Sequence, residues 1–382
     1  MADAVSLARL KQRVHAELGD VTAPMPGRIT AKLAALILAD IAAMLVFVSA
    51  DAWWWKAVAV LVGGWMHMAI GTTGHTASHN AVFRTAALNQ AMTFVAYPLT
   101  LGLSATMWWT RHCKLHHPNP NGVGEDTDHD FMPLLAFRDE DLVGASRLQR
   151  AWFRVQWWFM PAIVATNAIS VWLQGWWWIL KHGLNKETRE PAHAVDALCM
   201  ALQPLLWIAL PSIWFPIYSL ATFWLLRNLV LAYLMFAILG PGHLPGRAAI
   251  IDPGALKLNW VEKQAWTTVN FRVGPIGAAL VSGLETQIEH HLFPTVPHPR
   301  YAQIRPIIKK YLEEHDLPYV ELSWPRAIWE AWGAFGAPRR TCGTRADLHE
   351  HRAHPGAAPT SLPATSPPAA VEDDGALASG AA

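Results

Sequence analysis

Eight histidines and one glutamine hold most of the chemistry that this chain can offer. All but one lie in three short runs: HTASH (His75, His79), HCKLHH (His112, His116, His117) and QIEHH (Gln287, His290, His291), while His243 stands alone after a long apolar stretch. Neutral imidazole is a common ligand for iron, zinc and copper. Spacings of three and four residues place side chains on one helical face, so each run could direct its ring nitrogens to one point. The pattern indicates a polynuclear metal site.

The number of imidazoles bears on how many ions such a site holds. Eight nitrogens exceed the four ligands that one zinc ion takes, so two metal ions are implied. An imidazole-rich site with open positions suits redox iron and dioxygen chemistry. Isolated histidines are more often structural, and these are set aside: His15, His67, His129, His182, His193, His315, His349, His351 and His354. Asp126 and Asp128 either orient the nearby rings or form a solvated acidic loop; both interpretations stay open.

The elements that must position these side chains are unusually apolar. Of the 382 residues, 52% are hydrophobic and only 15% charged, whereas an ordinary soluble domain has about 25% charged residues. The deficit indicates a lipid environment. A net charge of +1 gives no reason to expect nucleic acid as a partner. Three cysteines are too few for a disulfide framework or a cysteine-based zinc site.

About 20 apolar residues cross a bilayer as a helix. The sequence predicts four such helices: residues 32–50, residues 57–74, and two within residues 197–246 that are hinged at PSIWFP. Residues 85–110 and 155–180 are also long enough, but a crossing by either would separate the histidine runs. We therefore expect both to be interfacial or re-entrant. Arg227 lies near the middle of the membrane, where we expect it to pair with Asp40 or to face the protein interior.

The charges in the loops predict how the protein is oriented in the membrane. The two outer loops would contain only Asp51 and Lys56, so nearly all other Lys and Arg residues lie on the histidine side, which is then cytoplasmic. The Ala, Arg, Gly and Pro content is typical of a GC-rich bacterium and favours an inner membrane. The predicted fold is an all-α integral membrane protein, with four transmembrane helices in two hairpins and a cytoplasmic helical cap that holds the metals. Residues 1–30 would be a cytoplasmic segment, 31–337 the membrane domain and 338–382 a disordered tail.

HxxxH, HxxxHH and QxxHH, in this order between apolar segments, resemble the integral-membrane fatty acid desaturases, most closely the front-end acyl-lipid subgroup. HCKLHHPNPNGVGEDTDHD, WVEKQAWTTVNF and SGLETQIEHHLFPTVPHPRY extend the resemblance to about residues 30–325. It implies a di-iron centre with these ligands: His75, His79, His112, His116, His117, His243, His290 and His291. Gln287 stands where other desaturases have a ninth histidine. LGPGHLPG around His243 departs from the family, and PHPRY gives His298 no assigned role.

The resemblance implies an oxygen-dependent desaturase that introduces a cis double bond into an acyl chain and reduces O2 to water. An acyl lipid or acyl thioester would enter a tunnel with Trp108, Trp109 and Trp178 as candidate lining. Gln287 is the candidate catalytic residue, since its side-chain carbonyl could bind iron or orient a water.

The resemblance also bears on the electron donor and on the competing functions. Front-end enzymes of eukaryotes usually carry a fused b-type cytochrome domain, for which the 30 residues before the first span are too short. We therefore expect a separate electron donor, a ferredoxin or a b-type cytochrome with its reductase. The competing enzymes are a hydroxylase and a carotenoid or sphingolipid oxidase of the same superfamily. A membrane haem protein or a metal transporter is the competing class.

Overall fold

Four long apolar helices dominate the computed structural model, which describes residues 5–356. In this range four helical segments are long and apolar enough to cross a membrane: Pro26–Ser49, Trp53–Ser78, Pro191–Ile213 and Ile217–Gly242. Their number and order confirm the sequence prediction. The first and third helices begin before the predicted spans, and the second extends beyond its predicted span at both ends.

The helices alternate with short connecting turns. In chain order they are α1 Leu7–Leu18, α2 Pro26–Ser49, α3 Trp53–Ser78, α4 Ala86–Phe94, α5 Ala105–Trp108, α6 Arg147–Phe153, α7 Gln156–Gly183, α8 Pro191–Pro204, α9 Ile217–Leu239, α10 Trp260–Thr267, α11 Pro275–Val281, α12 Gln287–Leu292, α13 Tyr301–Glu314, α14 Trp324–Gly333 and α15 Arg345–Ala353. Three π-helical segments are Val95–Leu101, Trp109–His116 and Leu205–Ala209. The 3-10 turns are Thr127–His129, Asp139–Leu142, Pro211–Ile213, Gly240–Gly242 and His298–Arg300.

The fold is mostly helical, as predicted, and the described residues also contain short strands that the sequence did not indicate. Four short strands form two parallel pairs: β1 Ile250–Ile251 with β4 Thr341–Cys342, and β2 Asn270–Arg272 with β3 Glu321–Ser323. Each strand has only two or three residues, too few for an alternating pattern to be visible in the sequence. Their partners are distant along the chain, so local sequence does not indicate the pairing.

A buried ionic cluster joins three of the spans. α3 packs against both α2 and α9, and Arg227 Nη1 of α9 donates to Asp40 Oδ2 of α2 at 2.9 Å. His67 Nδ1 of α3 lies 2.9 Å from the same oxygen. All three side chains are fully buried. The expected pairing of Arg227 with Asp40 is therefore confirmed, and His67 completes the cluster.

The two stretches predicted not to cross have different structures. Residues 85–110 form α4 and the following π-helix, which ends at Gly102 in a left-handed conformation (φ 77°) before α5 begins. Residues 156–183 form one continuous helix, α7, which is not among the four helices that are long and apolar enough to cross a membrane in the described part of the chain. Pro161 lies in its second turn, where a missing N–H affects few helical hydrogen bonds.

A second apolar core lies beneath the histidine segments. It contains buried residues of α1, α10, α12 and α13 together with Leu348 of α15. The predicted disorder of residues 338–382 is therefore wrong for β4 and α15. A capping box closes the start of α15, with Thr344 Oγ1 accepting from Asp347 N, and the Pro- and Ala-rich composition of the tail obscured this signal. Residues 357–382 lie outside the described part of the chain.

Candidate metal centre

The first two histidines lie where the second span ends. His75 is in the last turn of α3 and His79 caps the helix, so both rings lie on one side. α3 approaches its neighbour closely here, since a Cβ on Gly74 would fall 2.5 Å from Ala96 Cβ. Glycine permits this contact, which fixes the end of α3 and both imidazoles.

The HCKLHH run lies on a π-helix rather than an α-helix. α5 begins behind Ser104, whose hydroxyl accepts from Met107 N at 3.1 Å, and continues as the π-helical segment Trp109–His116. Hydrogen bonds from i to i+5 place residues four and five apart on one face. His112 therefore shares its face with both His116 and His117. Local spacing had predicted only an α-helical pair with a neighbour.

A buried carboxylate anchors the start of this segment. Asp196 of α8 is fully buried and accepts from the backbone of Ala105 at 3.1 Å and of Thr106 at 2.9 Å. The hydroxyls of Ser104 and Thr106 donate to it at 2.7 and 2.6 Å. Four donors offset the cost of burying the charge. Asp196 could not be identified from the sequence, because it precedes no histidine run and carries no motif.

The third run is the most enclosed. All six residues of α12 are buried. Glu289, between Gln287 and the two histidines, accepts from Asn270 Nδ2 at 2.8 Å and from Tyr319 Oη at 2.7 Å. Asn270 Oδ1 accepts from Ile288 N at 2.9 Å. These bonds hold the backbone of α12, so His290 and His291 are presented from a rigid support.

His243 follows the 3-10 turn that ends the fourth span. Gln287 lies against this turn, because a Cβ on Gly242 would fall 2.5 Å from Gln287 Cγ and 2.8 Å from its Cδ. The structure thus places Gln287, buried, beside the backbone next to His243.

These segments bring all eight histidines together in two groups. In each group one ring nitrogen of every member lies within 4.8 Å of the others. The five-histidine group is His75, His79, His112, His117 and His290, and the three-histidine group is His116, His243 and His291. The groups are adjacent, because the rings of His117 and His291 stack with centroids 4.2 Å apart.

The rings of the five-histidine group converge through their Nε2 atoms. Those of His75 and His112 lie 2.9 Å apart, those of His112 and His117 3.2 Å, and those of His117 and His290 3.1 Å. Unprotonated Nε2 atoms that converge in this way would direct their lone pairs at one point, which is the arrangement expected around a cation.

Polar partners on the outer sides orient four of the rings. His116 Nδ1 lies 2.9 Å from Asp126 Oδ2, and His112 Nδ1 lies 3.3 Å from Asp128 Oδ2. This geometry favours the orienting role over a solvated acidic loop. A donating Nδ1–H leaves Nε2 free to bind metal.

Two further orienting residues had not been singled out by the sequence analysis. Gln264 Oε1 lies 3.0 Å from His291 Nδ1, and Tyr301 Oη lies 3.0 Å from His290 Nδ1. Both belong to stretches that carry the family resemblance, so the stretches identified the region but not the roles.

The electrostatics favour neutral rings in most positions. Burial, reinforced by neighbouring imidazoles, holds the pKa of His112, His117, His290 and His291 well below the usual range. At His116 burial lowers the pKa, but the Asp126 carboxylate outweighs it and the pKa is raised. Neutral imidazole is the form that binds metal.

The donor set fits a metal ion. Among residues 5–356, His79 Nε2, His117 Nδ1 and His291 Nε2 are buried without a hydrogen-bond partner. Unpaired buried nitrogens are costly, and one cation in each group would satisfy Nε2 of His79 and of His291. Nitrogen donors alone suit iron, zinc and copper.

His298 and the tryptophans named as candidate tunnel lining lie in different places relative to the two groups. His298 Nδ1 is 2.8 Å from Thr76 Oγ1, and His298 lines a narrow cleft together with His75, His79 and His290. Trp108 stacks on His112 at 4.2 Å. Trp178 instead packs on His182 at 4.0 Å. Trp109 packs on Phe94 with ring centroids 5.3 Å apart.

His129 is closer to the site than expected from the sequence. Its Nδ1 lies 2.7 Å from Asp126 Oδ2, and its ring centroid lies 5.3 Å from that of His243. It had been set aside as structural because it stands apart from the three runs.

Four apolar helices and two buried histidine groups define a membrane protein with a metal site. The family model for fatty acid desaturases matches residues 51–323, most of the chain, and the chain belongs to this family.

Three relatives match about two thirds or more of this chain. It is 29% identical over 280 residues to an acyl-lipid (8-3)-desaturase of Thraustochytrium sp, covering 70% of this chain and 60% of that protein. It is 26% identical over 287 residues to the Delta(5) fatty acid desaturase fat-4 of Caenorhabditis elegans, covering 71% and 61%. A Delta(8)-fatty-acid desaturase of Euglena gracilis is 26% identical over 266 residues, covering 68% and 62%. The matched region thus spans about three fifths of these relatives.

Proposed function

We propose that this protein is an oxygen-dependent, di-iron fatty acyl desaturase that introduces a cis double bond into a lipid acyl chain. The observation that carries the proposal is the pair of adjacent histidine groups, which include histidines at the ends of two of the apolar helices. The family membership and the names of the relatives support the same activity.

The reaction removes two hydrogens from neighbouring methylenes and, with O2, two electrons and two protons, yields an alkene and two waters. Two iron ions held by the histidines would supply the one-electron and dioxygen chemistry that such inert C–H bonds require. The chain's own residues bind and orient: the two histidine groups supply nitrogens, and Asp126, Gln264 and Tyr301 fix ring orientation. Complete burial of α12 excludes bulk water from this side.

Gln287 is the proposed catalytic residue. Its position against Gly242, next to His243, supports a role at the three-histidine group. The amide oxygen would bind iron or hold a water for proton transfer.

We also propose the membrane arrangement. α2 with α3 and α8 with α9 would form two hairpins, with the histidine groups in a cap on the cytoplasmic face of a bacterial inner membrane. The concentration of Lys and Arg on the histidine side supports this orientation. A thiol reagent added from outside should label Trp54→Cys and Ile213→Cys but not Lys257→Cys. Labelling of Lys257→Cys from outside would show that the orientation is the opposite of the one proposed.

The proposed partners are an acyl lipid or acyl thioester as substrate and a separate electron donor, either a ferredoxin or a b-type cytochrome with its reductase. Each candidate donor would be mixed with the purified protein and reduction would be monitored by absorbance, which would identify the donor that reduces the protein.

The activity is tested by expression in a host of known fatty acid content, with double-bond localisation in the extracted lipids. We expect a new cis-unsaturated acyl chain with the wild type and none with His291→Ala, while His182→Ala, a change at a partly exposed ring outside both histidine groups, retains the product. A hydroxylated chain instead of an alkene would favour the hydroxylase alternative, and unchanged lipids despite bound iron would contradict the proposal.

A further inference from the structure

The two histidine groups are unequal in size. One contains five imidazoles and the other only three. The smaller group, His116, His243 and His291, has ring centroids 4.6, 5.0 and 4.7 Å apart. Imidazoles sharing one ion at a metal–nitrogen distance of about 2.1 Å would have centroids roughly 4.5 to 5.2 Å apart. The three rings therefore have the spacing of ligands to one ion, with at least one position left open.

His129 lies beside this group. Its ring centroid is 5.4 Å from that of His116 and 5.3 Å from that of His243. These distances exceed the range for rings on one ion, so a rotation about the His129 side-chain bonds is needed to bring its Nε2 to the ion. The His129 side chain is 11% exposed, so it is enclosed with the group rather than solvated.

The carboxylate that orients His116 also orients His129. Asp126 Oδ2 lies 2.9 Å from His116 Nδ1 and 2.7 Å from His129 Nδ1. A neutral ring that donates its Nδ1–H to this oxygen keeps the lone pair on Nε2, the form in which metal-binding histidines are held by carboxylates. His129 thus has the same outer partner, through the same ring atom, as a histidine of the group.

We propose that His129 is a fourth imidazole ligand of the ion held by the three-histidine group. The inference rests on the proposed metal centre but not on the reaction performed there. It makes the two halves of the centre five and four imidazoles, and it assigns to Asp126 the orientation of two ligands. A purely positioning role, in which His129 only helps to hold Asp126, is the alternative.

Substitution by asparagine separates the two roles. In His129→Asn the introduced amide nitrogen would stand near the place of Nδ1 and can still donate to Asp126, but the shorter side chain provides nothing at the place of Nε2. His129→Ala removes both functions. His182→Asn is the matched control, because His182 is a partly exposed ring that packs on Trp178 outside both groups.

The experiment measures iron content and the Mössbauer spectrum of full-length protein purified in detergent and loaded with 57Fe. We expect His129→Asn to alter one of two iron signals and to weaken binding of that ion at least 10-fold, by analogy with the 10- to 100-fold effects of outer partners. His182→Asn should match the wild type. Wild-type iron content and unchanged signals in His129→Asn would overturn the proposal. Wild type with two irons but no lipid product would instead refute the desaturase function and leave this inference intact.

Discussion

Gln264 holds His291 in place: its Oε1 lies 3.0 Å from His291 Nδ1, while its Nε2 donates to the backbone oxygen of His117 at 3.0 Å. One fully buried amide therefore links the two histidine groups. We expect Gln264→Ala to lower metal affinity about 10- to 100-fold, because His291 loses the partner that fixes its tautomer. Metal titration of the apoprotein measures this. Gln149→Ala, at the exposed start of α6, is the control, and equal affinity in both variants would contradict the assignment.

Asp196 should couple the third span to the second histidine run. We expect Asp196→Ala to destabilise the protein by about 2–4 kcal/mol, since four donors lose a buried partner, and to reduce metal content. Thermal unfolding in detergent and metal analysis would measure the two effects.

Asp141→Ala provides the comparison for Asp196. Asp141 is also buried and accepts from the backbone of Phe137 and Arg138, both at 2.9 Å, but these partners belong to no histidine run. The variant should lose stability and keep its metal. Full metal content in folded Asp196→Ala would show that this carboxylate serves stability alone.

Asp40 and Arg227 should contribute to the stability of the protein because each neutralises the charge of the other. Asp40→Ala leaves the buried Arg227 charge without its carboxylate, and Arg227→Ala leaves Asp40 with His67 alone. We expect a loss of about 3–5 kcal/mol in the free energy of unfolding for either variant. The double variant Asp40→Leu with Arg227→Leu should lose less than the sum of the single changes. Glu330→Ala, which breaks a surface pair with Arg326, should cost less than about 1 kcal/mol. Strict additivity at Asp40 and Arg227 would contradict coupling.

Gly242 should be required for the position of Gln287. A Cβ there would lie 2.5 Å from Gln287 Cγ, so we expect Gly242→Ala to displace the amide and reduce desaturation more than about 10-fold, or roughly 1.4 kcal/mol in the barrier. Gly274→Ala, whose Cβ would meet nothing within 4 Å, is the control. Adding Gln287→Ala to Gly242→Ala should restore thermal stability but not activity. Recovery of activity would exclude Gln287 from catalysis.

The sequence was informative where the signal is local. Apolar runs of about 20 residues predicted the four spans, and four-residue spacings identified His75 with His79 and His112 with His116. Roles that depend on distant contacts were missed. Gln264 bonds a ring 27 residues away, and Asp196 bonds Thr106 across 90 residues.

Two other structural features were not predicted from the sequence, for different reasons. The π-helical register of the second run has no simple sequence signature, although it decides that His117 joins His112 on one face. α15 was missed because its capping box and Leu348 are embedded in a composition typical of disorder.

Counting metal ions in group-specific variants tests the central claim most directly. We predict about two metal ions per chain in the reconstituted wild type, because each of the two histidine groups would hold one ion. Joint replacement of His116, His243 and His291 by alanine should leave about one ion, held by the five-histidine group, and joint replacement of both groups should leave none. Chelator treatment should remove both ions from the wild type and abolish desaturation, with recovery on addition of iron. Two ions retained after loss of the three-histidine group would contradict a centre built from these histidines.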